Sequence, residues 1–469
     1  MANYLDNIDI IDADNHSTNV LLQDRGTLAF ANQLSIDLQN EIQNRINSDT
    51  ALGTRIDNEE LARSSADNAL NNRINNLSNY DKADIRNYGG IADNNTDCTN
   101  AVIQALSENN VAYLPNYNNN SYKIGAVTLT DGQTIIGDEG TKISSTASDF
   151  ITINGNNTEV KNLIITTSNN VIHINNDKQL SFINIENVYS YGANKFIYDN
   201  ENSNYTYTNL YVNRCAARQH YGNGLLLYHC LAFLMLNNVT IDSVGVIGTT
   251  AMFEIHNNAG AHLTHCEAEG GYSDGSHTSH CGFNFMNCQA LWLERCMSDT
   301  NDSVGFNFYN CQYIYLSSCV ASLMGSHGFA FLGTNSAHIM MTNCYIGGRR
   351  GMASSITGAH GIYNYAGYFT ISNCDISNMT GYAIADAATN NNANYNGIII
   401  AGCDRSFVAF SSNGGTLSNV SSLVNDTPTI GYYKCNNCLF NGVEWQFNCA
   451  VRYTGTGYEY FSNGSWLNI

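Results

Sequence analysis

Three Gly-Phe pairs constrain this chain more than any other feature. Gly282-Phe283, Gly305-Phe306 and Gly328-Phe329 follow one another at intervals of 23 residues. Each opens an alternating run: Phe283/Phe285, Phe306/Phe308 and Phe329/Phe331. A second alternating run follows, Leu291/Leu293 in one unit and Ile314/Leu316 in the next, and each unit then reaches Cys296, Cys319 or Cys344. Alternation over short runs marks strands with one buried face. A fixed period with three short strands and no helical pattern between them is what one coil of a parallel β-helix requires. Coils stack roughly 4.8 Å apart, so equivalent residues form columns along the axis.

The rest of the chain is compatible with a long solenoid. Its 469 residues would ordinarily argue for about three domains. A solenoid escapes that expectation because each coil touches only its neighbours. Only 2 Pro stand against 39 Gly, and Asn makes up roughly one residue in seven. Asn tolerates left-handed corners and stacks its amides, which suits a fold turning three times per coil. The net charge of −20 argues against nucleic acid or an anionic membrane as partner, though not against an anionic sugar held at a local basic site.

The 15 Cys do not read as a disulfide framework. Cys266, Cys296, Cys319, Cys344 and Cys374 fall at one coil position, and Cys288 and Cys311 at another, so buried thiol ladders are expected. Cys435-x-x-Cys438 has metal-ligand spacing but no second pair, and neither metal nor cofactor is expected. The N-terminus lacks the basic and apolar regions of a secretory signal. The apolar run Leu225 to Leu236 is interrupted by Tyr228, His229 and Cys230, which predicts a buried coil rather than a membrane span.

Residues 1–30 are acidic and weakly patterned; they read as an anchor folding against a partner, or equally as a loose tail. From about Leu34 to Leu77 the period becomes helical. Ile42, Ile56, Leu70 and Leu77 share a seven-residue register that Asp49 and Arg63 interrupt, and the segment Asp49–Ile56 recurs 18 residues later as Asp67–Ile74. Eighteen is a heptad plus a hendecad, the period of a nearly straight bundle. A helix this polar should pack on copies of itself, and a trimer would align three solenoids side by side.

Residues 84–143 then read Asp84-Ile-Arg-Asn-Tyr-Gly-Gly-Ile-Ala-Asp, Thr96-Asp97-Cys-Thr-Asn-Ala-Val-Ile-Gln-Ala-Leu106, Val111-Ala-Tyr-Leu-Pro115 and Gln133-Thr-Ile-Ile-Gly-Asp138. This resembles the opening of pectate-lyase-like right-handed β-helix proteins, phage tailspikes above all. Asn94-Asn-Thr96 stands for their usual glycine-bearing turn, and Cys98 replaces their second aspartate. The resemblance implies an all-β, right-handed, single-stranded parallel β-helix; the helical period upstream adds an N-terminal coiled coil and a homotrimeric state, and the unpaired edge of an open last coil calls for a small C-terminal β cap. The expected division is a virion-anchoring segment (1–30), a trimeric coiled coil (31–80), the β-helix (81–415) and the cap (416–469). The expected location is the virion tail, and the expected partners are two further copies, other tail or baseplate proteins and bacterial surface polysaccharide.

Candidate chemistry follows from using each coil's cysteine as a ruler. The cysteine and the residue two later point inward, and the residue three later points outward. In adjacent coils that outward residue is Glu269 and Asp299. One coil spacing would place the two carboxylates roughly 5 Å apart, the separation of a retaining glycosidase. Like charges so close raise one pKa and supply a general acid. Glu267 shares the face, and Asp302 lies near it. The loop carrying Asp274, His277 and His280 and the cations Arg349 and Arg350 are candidates for holding substrate, as are Trp292 and Tyr315, whose outward rings suit sugars or an interchain contact equally. At any single position the ordinary reading is a solvated surface residue; their clustering on one edge brings the functional reading level with it. His327 and His360, each before a glycine, read as turn residues. The Asp-pair and R-x-K elements of polygalacturonase-type enzymes are missing, so that mechanism is not carried over. Two functions stay open: a depolymerase that hydrolyses or eliminates glycan, and a non-catalytic receptor-binding fibre.

Overall fold

The computed structural model describes residues 17–117, 119–243, 251–270, 281–301, 303–348, 358–388, 393–409, 415–424, 433–440, 443–453, 458–462 and 465–468. Contacts divide the chain into two units, Met1–Ser78 and Asn79–Ile469.

The described part of the first unit is helical. Helix α1 (Ser17–Ala83) is 67 residues long, about 100 Å at 1.5 Å per residue. It extends beyond both ends of the periodic stretch because no Pro interrupts the flanks, and a Gly within a helix costs only about 1 kcal/mol. Phe30, Ile42, Ile56 and Leu70 are 71%, 49%, 55% and 52% exposed. Of the heptad residues, Ile42, Ile56 and Leu70 are thus exposed along the helix.

The second unit opens with helix α2 (Thr99–Asn109), which buries Ala101, Val102, Ala105 and Leu106 against the first coil. Gln133 Nε2 donates to the Leu106 carbonyl at 3.2 Å, and the Gly125 N–H donates to Thr99 Oγ1 at 2.6 Å. The helix therefore seals what would be an open end of the core.

Beyond it the chain is a right-handed parallel β-solenoid of about 11 turns. The first strands of the coils stack into one parallel sheet of twelve described strands, from Val127–Leu129 to Arg405–Ala409. The second and third strands build the other, larger sheet. They are continuous in early coils, as in Tyr207–His220, and break into separate pieces from Ala259–Thr264 and Glu267–Glu269 onward. Parallel pairing continues through Gly415–Ser418 and Ser421–Ser422 into Tyr433–Phe440. Val443–Tyr453, Tyr458–Ser462 and Ser465–Asn468 then follow as an antiparallel meander.

The corners account for the asparagines. Asn162, Asn187, Asn238, Asn343 and Asn373 occupy one corner column with φ between 53° and 58°, and Asn257, Asn287 and Asn310 occupy another at 54–55°. Most side chains avoid this left-handed region, whereas Asn reaches it at little cost. The amides also link coils: Asn187 Nδ2 donates to Asn162 Oδ1 at 3.0 Å.

Inside, like stacks on like. The rings of Phe253, Phe283, Phe306 and Phe329 follow one another at 4.5, 4.7 and 4.6 Å, and Phe285, Phe308 and Phe331 at 5.1 Å. The glycine before each phenylalanine is a steric necessity. A Cβ on Gly305 would lie 2.7 Å from the Gly328 carbonyl oxygen, and one on Gly328 would lie 2.4 Å from Ile346 Cγ2. The cysteine column Cys266, Cys296, Cys319, Cys344 and Cys374 is buried, and every thiol in it is free. Desolvation pushes the buried Cys215 thiol up to about 12.

Candidate functional site

The third strands end in a column of charge. Asp242 pairs with Glu269, and Glu269 with Asp299. Ser322 follows in the next coil. The residues before Glu269, Asp299 and Ser322, namely Ala268, Ser298 and Ala321, are fully buried, so the acidic side chains face outward. Three carboxylates thus stand in three consecutive coils. Arg218 caps the row, its Nη1 lying 3.8 Å from Asp242 Oδ2. The Glu267 carboxyl is held above the usual carboxylate range. Partial burial is the main cause, and repulsion from Glu269 and Asp299 adds to it against the pull of Arg218. Asp299 Oδ1 is buried and has no hydrogen-bond partner among the described residues.

Sequence reasoning missed Asp242 and Arg218. Val239 occupies the cysteine position of the Asp242 coil, so the ruler had no mark there. The same ruler laid on Cys215 arrives at Arg218, and that signal was available. Asp302, Asp274, His277, His280, Arg349 and Arg350 lie outside the described residues.

On the second strands, an outward column runs Met235, His262, Trp292, Tyr315 and Met340. His262 stacks on Trp292 at 4.5 Å and Trp292 on Tyr315 at 5.6 Å, with ring planes within 21° and 10° of parallel. Trp292 and Tyr315 are 38% and 37% exposed, unlike the fully buried phenylalanines behind them. Two residues earlier on the same face, Tyr313, His338 and Tyr368 form a second stack at 4.8 and 4.9 Å. One coil therefore offers Trp292 on its second strand and Asp299 at the end of its third.

His327 and His360 stack at 5.1 Å and serve the backbone. His327 Nδ1 accepts from the His360 N–H, and His360 Nδ1 from the Tyr382 N–H, each at 3.0 Å. Burial holds His327 near 4, so the ring stays neutral and its acceptor role persists at ordinary pH. Among the described residues no group of three or more His, Cys, Asp or Glu is placed to hold a metal ion. No described helix is long and apolar enough to cross a membrane.

Neither protein-family models nor curated protein sequences yield a match to this chain. Solved structures do. Tailspike protein 3 of bacteriophage CBA120 is similar at 12% identity and a TM-score of 0.45, over 83% of this chain and 69% of that one. A tailspike of an Acinetobacter phage is similar at 9% identity and 0.40, over 77% and 63%. A family 28 exopolygalacturonase of Yersinia enterocolitica is similar at 12% identity and 0.39, over 76% and 77%. The structural neighbours are thus phage tailspikes and pectate-lyase-like β-helix proteins, and the strand register of the chain itself makes it a parallel β-solenoid.

Proposed function

We propose that this chain is a virion tail protein that binds bacterial surface polysaccharide along the outer face of its larger sheet and cleaves it at the acidic column. The observation that carries this reading is the juxtaposition, coil by coil, of exposed parallel aromatic rings with outward carboxylates. Flat rings receive the apolar faces of sugars. Strands one coil apart run roughly 4.8 Å from each other, close to the carboxyl separation of a retaining glycosidase, which uses one carboxylate as nucleophile and one as proton donor. Glu269 and Asp299 take these roles, and Glu267 holds the reserve proton. Asp302, the Asp274/His277/His280 loop and Arg349 or Arg350 complete the substrate contacts. Purified protein incubated with capsule or O-antigen should release reducing ends. Saturable binding without release would make it a receptor-binding fibre, and the exposed aromatic columns fit that second reading as well.

The helix supports assembly as a homotrimer. A solitary helix this long, with apolar side chains exposed along it, lacks the tertiary packing that sustains helices in water. The segment before it attaches to other tail or baseplate proteins, and the antiparallel meander caps the last coil. Sedimentation should give three copies per particle. Ile42→Asp combined with Leu70→Asp should release monomers, because each buries a charge at every chain's seam. A monomeric parent would remove the coiled coil from the account.

A further inference from the structure

The outward column that carries Trp292 and Tyr315 continues toward the N-terminal coils as Met235, Tyr211, Asn184 and Glu159. There the sheet face holds a cleft of about 560 Å³, within the size range of small-ligand sites. Its apolar lining comes from Phe182, Tyr211 and Met235, and its amides from Asn184, Asn213 and Asn237. Phe182 is 53% exposed, held outward by a left-handed backbone with φ of 58°.

The charges of this cleft are closed locally. Glu159 pairs with Lys161 at 2.9 Å and Glu186 with Arg214 at 2.5 Å. Asn184 Nδ2 donates to Glu159 Oε1 at 3.4 Å, and Asn213 Nδ2 to Glu186 Oε1 at 3.3 Å. Asn237 Nδ2 donates to Asn213 Oδ1 at 2.9 Å. Each amide has two N–H groups and an oxygen with two lone pairs, so these bonds leave donors and acceptors over. Among the described residues that line the cleft there is no Lys or Arg, and its two carboxylates each already hold a cation. A chain of uncharged rings, apolar on their faces and hydroxylated on their edges, matches both the aromatic floor and the amides.

We infer that this cleft is a non-catalytic binding site for a neutral glycan, a chain of hexoses or N-acetylhexosamines, separate in its residues from the acidic column. The inference rests on the reading that the outer sheet face meets polysaccharide, and it adds a site that holds the chain without cutting it.

The test uses the full-length protein on an array of bacterial capsular and O-antigen polysaccharides carrying both neutral and acidic repeats. The parent should retain neutral repeats, with affinity unchanged between low and high salt, since no net charge is exchanged. Tyr211→Ala and, at an exposed position safe for folding, Asn237→Ala should each weaken that binding about tenfold or more. Retention of acidic repeats alone, or parental affinity in both cleft variants, overturns the cleft and leaves the acidic column standing. A parent that retains no glycan and releases no reducing ends overturns both sites together.

Discussion

Glu269→Gln is expected to cut the release of reducing ends from host polysaccharide by at least about a hundredfold, with the oligomeric state and the thermal transition unchanged. Losing a positioned acid, base or nucleophile costs factors of this order. The substitution keeps the shape of the side chain and removes only its charge and its ability to attack or exchange a proton. Glu269 occupies the middle of the column, between Asp242 and Asp299, and so is flanked by a carboxylate on each side. Asp299→Asn should be similarly damaging. Glu267 sets the pH dependence. Its carboxyl is held above the ordinary range, chiefly by burial, so it stays protonated to higher pH than a free glutamate. Activity should persist above the usual carboxylate range and fall as pH rises through the Glu267 value, and Glu267→Gln should remove that alkaline fall. Parental release by both Glu269→Gln and Asp299→Asn would discard the acidic column as the site.

The second large effect concerns the core. Phe306→Ala should lower unfolding stability by about 3–5 kcal/mol, seen as a shift in the denaturant midpoint. The Phe306 ring is fully buried between Phe283 at 4.7 Å and Phe329 at 4.6 Å. Its removal leaves a void that neighbours cannot fill, because the coils above and below are held at the strand spacing by backbone hydrogen bonds. Tyr315→Ala on the same coil removes a ring that faces outward and should shift the midpoint by no more than about 0.5 kcal/mol. Equal midpoints for Phe306→Ala and the parent would show that the ladder does not hold the coils together.

The contrast between Phe306 and Tyr315 shows how legible the chain was. Side chains alternate strictly in a strand, so once the Gly-Phe period is seen, the inward or outward sense of nearly every residue in those coils follows. Glu269 and Asp299 were paired from sequence because Cys266 and Cys296 mark the same position in neighbouring coils, and the register agrees. Where the marker failed, so did the reading: Val239 concealed Asp242, and Arg218 went unseen although Cys215 pointed to it.

What the amino-acid order determined by itself was local and periodic: the strand alternation, the phenylalanine and cysteine ladders, the glycines that admit a neighbouring backbone, and the helical period of α1. These depend on residues close in sequence or one constant period apart. What only the tertiary structure decided was the company kept by outward residues. Equivalent core positions are 30 residues apart between Phe253 and Phe283, 23 between Phe283 and Phe306, and 33 between Phe329 and Ile362. Because the coils differ in length, no fixed spacing tells which surface groups become neighbours. Burial of the core fixes the register, and the register then places Arg218 beside Asp242, His262 on Trp292, and the amides of Asn213 and Asn237 in one cleft.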